Sequence, residues 1–289
     1  MSFVAHLING ISLGSVYALI ALGYTMVYGI AKMLNFAHGD VIMVGGYVVF
    51  VTAINPLAAI IISMAACTVL GVTIERVAYR PLRGASPLAV LITAIGVSYL
   101  LQNVALLVFG SDTKAFSNVV TLPNLELFGG QLIIKSVTIV TVIVSIIIMV
   151  GLTFFVKKTK IGRAMTAVSE DQGAAQLMGI NVNGTIAVTF AIGSMLASVA
   201  GVLLCSAYPS LTPYTGSMPG IKAFVAAVFG GIGSIPGAFI GGILLGVIEN
   251  LSKAYISSQL SDAIVFSILI IVLLVKPTGL LGRKILEKV

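Results

Sequence analysis

Residues 136–181 read SVTIVTVIVSIIIMVGLTFFVKKTKIGRAMTAVSEDQGAAQLMGIN. The first part, 136–156, is apolar or weakly polar throughout and rich in Val, Ile and Thr. A run of about 20 such residues is the length a helix needs to cross the hydrocarbon layer. It stops on four cations, Lys157, Lys158, Lys160 and Arg163. Cations gathered at one end of a span mark the cytoplasmic side. A short helix is then expected. Ser169 offers an N-cap, with Gln172 three residues on as in a capping box. Glu170 and Asp171 fall in the first turn, where the positive end of the helix dipole favours carboxylates. Gly179 is placed to end the helix with a left-handed residue. Between these ends, Ala174, Ala175, Leu177 and Met178 make a small apolar face with nothing local to bury it. Such a helix fits a docking element for a soluble partner. It fits a helix lying on the membrane surface as well, and these residues alone do not choose.

The rest of the chain repeats the apolar pattern. Of 289 residues 58% are hydrophobic and 9% charged, against roughly 25% charged in a soluble domain. The reading is an all-α polytopic membrane protein of about eight to nine transmembrane or re-entrant helices, because only helices satisfy their backbone groups in lipid over such runs. One membrane domain is expected over 1–289, with 157–184 as its long cytoplasmic loop. The first thirty residues lack a basic n-region and a small-residue cleavage site, so a retained first span is expected. Cys67 and Cys205 lie inside apolar runs and read as small core residues. The net charge of +7 is accounted for by cations at span ends, without nucleic acid.

Taken in order, spans are expected at 3–28, 57–74, 87–109, 136–156 and 185–207. Gly10 and Gly14 in the first permit close helix contact. Residues 41–54 form a shorter apolar segment after the polar AKMLNFAHGD, which holds Lys32, Asn35, His38 and Asp40. Residues 110–135 are a mixed loop with Asp112, Lys114, Pro123, Glu126 and a Gly129–Gly130 pair. YPSLTPYTGSMPG at 208–220 precedes two apolar pieces, 221–231 and 237–251, split by Gly230, Gly231, Gly233 and Pro236. Each is short for a crossing, so a re-entrant or broken pair is expected, a geometry tolerated only where protein or a wet cavity covers it. The run 263–275 is expected to begin before Asp262. Placing Lys32, 76–84, 157–183 and the tail on the cytoplasmic side puts 12 of the 16 cations there and leaves Lys114, Lys135, Lys222 and Lys253 opposite. HGDVIMVGGYVVF near residue 38 and IPGAFIGGILLGVIEN near residue 235 look like copies of one Gly-marked element. Paired elements of this kind point to a transport pathway.

Several polar residues within these runs are candidates for lining that pathway. His38 and Asp40 fit either a lining role or the satisfaction of backbone groups at a helix break. Glu249 fits an outer vestibule or an ion pair with Lys253 four residues on. Asn35, Gln102 and Asn103 fit substrate contact or interhelical hydrogen bonds. Gly233 and its neighbours from Gly230 to Gly237 fit a gate or close packing. Glu75 with Arg76 and Arg80 reads as a cytoplasmic cluster.

NGISLGSVYALIALGYTMVYGI followed by LNFAHGD, then EDQGAAQLMGIN, FVAAVFGGIGSIPGAFIGG and KPTGLLG, resemble the LivH-type permeases of branched-chain amino acid ABC importers, the LivH/LivM class. The blocks stand in the same order and cover essentially the whole chain. The resemblance implies a multi-pass protein of the bacterial inner membrane. It implies as partners a LivM-type second permease, two cytoplasmic ATPase subunits and a periplasmic or lipid-anchored amino-acid-binding protein. It also implies that Glu170, Asp171, Ala174, Ala175, Leu177, Met178 and Gly179 belong to a coupling helix that enters a groove on an ATPase. ATP would then be used by the partners, with no cofactor on this chain. The sequence holds no GxxxxGK[ST] loop with which to cradle phosphates. Permeases for urea, short amides or other amino acids carry similar blocks. An ion-coupled secondary transporter would need Asp40 or Glu249 and no ATPase. An intramembrane enzyme would need an acid, base or metal constellation, which His6, His38 and the scattered carboxylates do not form.

Overall fold

The computed structural model describes residues 2–52, 55–117, 119–120, 122–127 and 132–282. The Gly129–Gly130 pair and the tail cations Arg283, Lys284 and Lys288 lie outside the described residues. In chain order the helices are α1 (Ser2–Ala31), α2 (His38–Thr52), α3 (Pro56–Ile74), α4 (Pro87–Phe109), α5 (Ser136–Lys158), α6 (Lys160–Glu170), α7 (Gln172–Leu177), α8 (Val182–Ala207), α9 (Ser217–Gly230), α10 (Ile235–Tyr255) and α11 (Ser261–Val275). Among the described residues, six are long and apolar enough to cross a membrane: α1, α3, α4, α5, α8 and α10. A π turn (Glu75–Tyr79) and a 3-10 turn (Arg80–Leu82) carry α3 onward. The shorter apolar helices are α2, α9 and α11. Polar caps set several starts: Asn55, Ser86, Thr159, Asn181 and Ser234 each accept a hydrogen bond from a first-turn N–H, which satisfies a group the helix itself leaves open.

Strands are minor. β1 (Lys114–Ala115) pairs antiparallel with β4 (Ser210–Leu211), and β2 (Leu125–Leu127) with β3 (Leu132–Ile134), Leu127 opposite Leu132. The first pairing puts the ends of α4 and α8 on one face of the bundle. The opposite face carries the end of α1, the end of α3, and α6 and α7. Tyr79 beyond α3 donates to Asn35 Oδ1 beyond α1 at 2.9 Å, which joins the first two.

Helix α1 is the axis. Residues Val16 to Leu22 are all buried, ringed by α8, α9, α10 and α5. Its seam with α10 is built from small residues. A Cβ added to Gly14 would stand 2.7 Å from Ile243 Cα, and one on Gly10 2.8 Å from Val247 Cα. Backbones this close gain dispersion contacts that lipid cannot supply to one helix alone.

The chain traces one motif twice, in opposite senses. After α1, Lys32 adopts a left-handed φ of 57° and residues 32–37 turn back into the bundle. There α2 starts beside Gly23 and Tyr24 and runs toward the strand face, followed by α3 and α4. After α8, residues 208–216 turn back in the same way. Then α9 starts beside Gly39 and runs toward the other face, followed by α10 and α11. A Cβ on Gly220 would come 2.7 Å from Gly39 Cα, so the first turns of α2 and α9 touch inside the bundle.

This corrects the expected duplication. The counterpart of α2 is α9, not the α10 stretch near residue 235, and the two run oppositely. Helix α10 has 21 residues and is a full span, so 221–231 and 237–251 are one half-helix and one crossing rather than a broken pair. The mislead is compositional: Gly-rich helices look alike in sequence, while a break inside the bundle is a matter of position. Helix α11 begins at Ser261, just before Asp262 as expected.

Candidate docking turn and intramembrane polar junctions

The stretch after α5 is helical rather than a loop. Thr159 caps α6, its Oγ1 accepting from Gly162 N at 2.9 Å. Met165 and Val168 of α6 are buried against the bundle, while its cations face outward. The ladder of α6 runs through Ser169, whose hydroxyl donates back to Thr166 O at 2.7 Å. Ser169 is therefore not the cap of the next helix. Asp171 is, with extended backbone (φ −155°, ψ 113°) and Oδ1 accepting from Ala174 N at 2.9 Å. Glu170 is the last residue of α6 rather than part of the next first turn. The expected capping box lost to the continuing hydrogen-bond ladder of the amphipathic α6, whose buried face holds it helical to that point.

Helix α7 ends as expected. Gly179 has φ +81°; its N–H donates to Gln176 O at 3.0 Å, and Ile180 N–H donates to Ala175 O at 3.0 Å. That pair of bonds is the Schellman closure, and a left-handed residue is its requirement. The apolar face divides. Ala175 is buried against the bundle, whereas Leu177 and Met178 stand 91% and 82% exposed. Arg83 braces the base of the turn by pairing with the buried carboxylate of Glu75 and with Asn183 Oδ1. Glu75 thus pairs with Arg83, not with Arg76 or Arg80. A polar hollow of about 280 Å³ beside α7 is edged by Arg83, Gln172, Gln176, Asn181 and Asn183.

The pathway candidates fall into separate places. Asn35, His38 and Asp40 are each buried around the start of α2. Asp40 Oδ1 accepts from Gln102 Nε2 at 2.9 Å, and that amide lies 3.2 Å from Ser98 Oγ and from Ser217 Oγ, the first residue of α9. One side chain from α4 therefore ties the first turns of both half-helices. The position of Asp40 at a helix start also suits its charge. His38 stacks edge-on against Tyr24, ring centres 4.7 Å apart, and among the described residues its Nε2 has no hydrogen-bond partner. A cavity of about 10 Å³ between Tyr24, Tyr28, Asn35 and Phe224 has room for one water, not an amino acid. Gly233 sits in the α9–α10 turn at φ +89°, away from the junction and beside Gly29.

Glu249 forms a second node. Its Oε1 accepts from Lys222 Nζ at 2.8 Å and Lys253 Nζ at 2.5 Å, and its Oε2 accepts from Tyr17 Oη at 2.9 Å. Lys222 Nζ also reaches Asp262 Oδ1 at 2.7 Å. The expected pair with Lys253 is present; α1, α9 and α10 meet at this carboxylate, and α11 joins the node through Asp262 on Lys222. Lys222 is buried inside α9, not in an outer loop. A single cation in the short apolar run 221–231 was the available signal, since a charge at that depth needs a partner. Among the described residues, no group of three or more His, Cys, Asp or Glu gathers as a metal site.

The sequence over residues 6–273 matches the family described as branched-chain amino acid transport system, permease component. The chain is 48% identical to the high-affinity branched-chain amino acid transport system permease protein LivH of Salmonella typhimurium, over 99% of this chain and 98% of that protein. It is 46% identical to the corresponding permease BraD of Pseudomonas aeruginosa, again over 99% and 98%. It is 31% identical to the probable branched-chain amino acid transport permease LivH of Methanocaldococcus jannaschii, over 91% and 88%. No solved structure matches. With apolar spans along its length, a near-full-length match to such permeases and the helical architecture above, the chain belongs to the family of permease components of branched-chain amino acid transport systems.

Proposed function

We propose that this chain is the membrane permease subunit of an ATP-driven importer that moves leucine, isoleucine and valine into the cytoplasm across the bacterial inner membrane. The near-full-length identity to LivH and BraD permeases carries the substrate class and the transport role. The chain brings no phosphate-cradling loop of its own, so the energy enters from partners. Those partners are two cytoplasmic ATPase subunits, a LivM-type second permease and a periplasmic or lipid-anchored binding protein. The basic face is the cytoplasmic one. There α7 is the coupling element: Leu177 and Met178 enter an apolar groove of an ATPase, while Glu170, Asp171, Ala174, Ala175 and Gly179 shape and anchor the turn.

ATP-driven closure of the ATPases pushes on α7 and, through α6 and the start of α8, on the bundle, which rocks between its two open states. Asn35, His38 and Asp40 meet the pathway when the first turns of α2 and α9 part. Gly233 gives the α9–α10 turn the freedom that motion needs, Glu249 holds α9 to α1 and α10 as it moves, and Lys222 holds α9 to α11 through Asp262. Selectivity rests mainly on the binding protein.

The test is reconstitution in proteoliposomes. Uptake of labelled leucine is expected to require the ATPases and ATP, and to vanish on deletion of residues 170–179 with the permeases still assembled. Leucine uptake that persists without ATPases, driven by a proton or sodium gradient, refutes this reading.

A further inference from the structure

Helix α4 is held by little of its own chain: its inward side meets α2 and the π turn, and most of its length faces outward. Its outward side is not all hydrocarbon. Gly96, Tyr99 and Asn103 are exposed and lie within one narrow stripe with Ile92, because they repeat at three- and four-residue intervals. The helix runs from Pro87 to Phe109, so its midpoint is Ser98. At 1.5 Å per residue, Tyr99 and Asn103 lie within about 8 Å of that midpoint along the axis. This is hydrocarbon depth, not the headgroup level where tyrosine is at home.

Asn103 Nδ2 donates to Tyr99 O at 2.8 Å. Among the described residues nothing takes up Asn103 Oδ1 or Tyr99 Oη. Around Gly96 a Cβ would meet nothing within 4 Å, so no contact inside this chain calls for a glycine there. Helix α5 is the contrast: before its terminal lysines, its exposed side over 143–154 is Ile143, Ile146, Ile147, Val150, Gly151 and Phe154, without a polar side chain. A lipid-facing asparagine amide at this depth has no partner for its carbonyl; a neighbouring helix with a donor supplies one, and a small residue lets that helix come close.

We propose that the Gly96–Tyr99–Asn103 stripe of α4 is the surface on which a transmembrane helix of the second, related permease subunit packs, with a hydrogen-bond donor set against Asn103. This rests on the reading above that the chain works beside such a subunit. Through Gln102, one residue away on the inward side, the same helix grips Asp40 and Ser217. The interface is thereby one residue removed from the first turns of both half-helices.

The test uses the full importer in native membranes. Tyr99→p-benzoylphenylalanine is expected to photo-cross-link to the second permease, and the same replacement at Ile147, the midpoint of α5, to yield lipid adducts. Asn103→Leu is expected to lower recovery of the second permease with this chain by about three- to fifteen-fold, the value of one interhelical hydrogen bond, while the unfolding temperature of this chain stays unchanged. Lipid adducts at position 99, adducts with another copy of this chain, or undiminished recovery after Asn103→Leu overturns the proposal, and leaves the importer reading standing if the second permease still copurifies. If no second permease accompanies the chain, both fall.

Discussion

Replacing Leu177 and Met178 together by serine is expected to release the ATPases from the permease without unfolding it. Both side chains project from α7 with almost all of their surface in solvent, so the isolated bundle gains almost nothing from them. Exposed substitutions of this kind shift stability by about 0.5 kcal/mol or less. The cap and closure of α7 also stay intact, because Asp171 and Gly179 supply them. In a groove, each side chain contributes about 1.5–3 kcal/mol on full burial. Losing both costs about 3–6 kcal/mol, or roughly 10²- to 10⁴-fold in affinity at tenfold per 1.4 kcal/mol. The assay is recovery of ATPase subunits on the immobilised permease in detergent, alongside ATP-dependent leucine uptake in proteoliposomes and a thermal melt of the permease. Association and uptake both fall while the melt stays within about 2 °C, as expected for a sub-kcal change in a chain of this size. ATPase recovery within twofold of the parent, with the melt unchanged, refutes α7 as the docking turn.

Gly179→Val forces a β-branched residue to φ +81°, at a cost of order 1–3 kcal/mol; it is expected to fray α7, seen as faster amide exchange over 172–180, and to weaken ATPase recovery in step. Lys222→Met leaves Glu249 buried with Lys253 and Tyr17 and strips Asp262 of its partner. A thermal melt is expected to show a loss of about 1–3 kcal/mol, short of the full cost of an unpaired buried charge, and the double change with Glu249→Gln is expected to cost less than the sum of the two. Gln102→Leu removes the amide donor to Asp40 and is expected to cost about 1–3 kcal/mol, whereas Asp40→Asn, which keeps an acceptor at the same place, is expected to cost less. Gly14→Val pushes a branched side chain into the backbone of α10 and is expected to abolish folded protein on size-exclusion chromatography, whereas Gly96→Ala, with open space around it, is expected to leave the folded yield of this chain unchanged.

Local and near-local features were legible in the residues. The span at 87–109 coincides with α4, and others differ by a few residues, because transfer into hydrocarbon is an additive property of a short window. The left-handed Gly179 and the Glu249–Lys253 contact were legible because both depend on residues at most five positions apart. The helix α2 was legible as a Gly-containing apolar run after a polar break, though not that it stops short of a crossing.

Competition and distance were not legible. Ser169 and Asp171 are both good caps, and only the buried face of α6, pressed against α1 and α8, settled that the ladder runs past the first and stops at the second. Lys222, Glu249 and Asp262 are scattered along 41 residues of sequence, and packing of α9 against α10 and α11 brought the two carboxylates to one ammonium. The pairing of α2 with α9 in opposite senses is a relation between two halves of the fold that glycine content imitates but does not encode. The amino-acid sequence by itself determined which segments enter the membrane, because each segment's own transfer free energy decides that. Only the tertiary structure decided which of their polar groups meet, since a buried charge or amide is stabilised by whichever distant partner packing sets beside it.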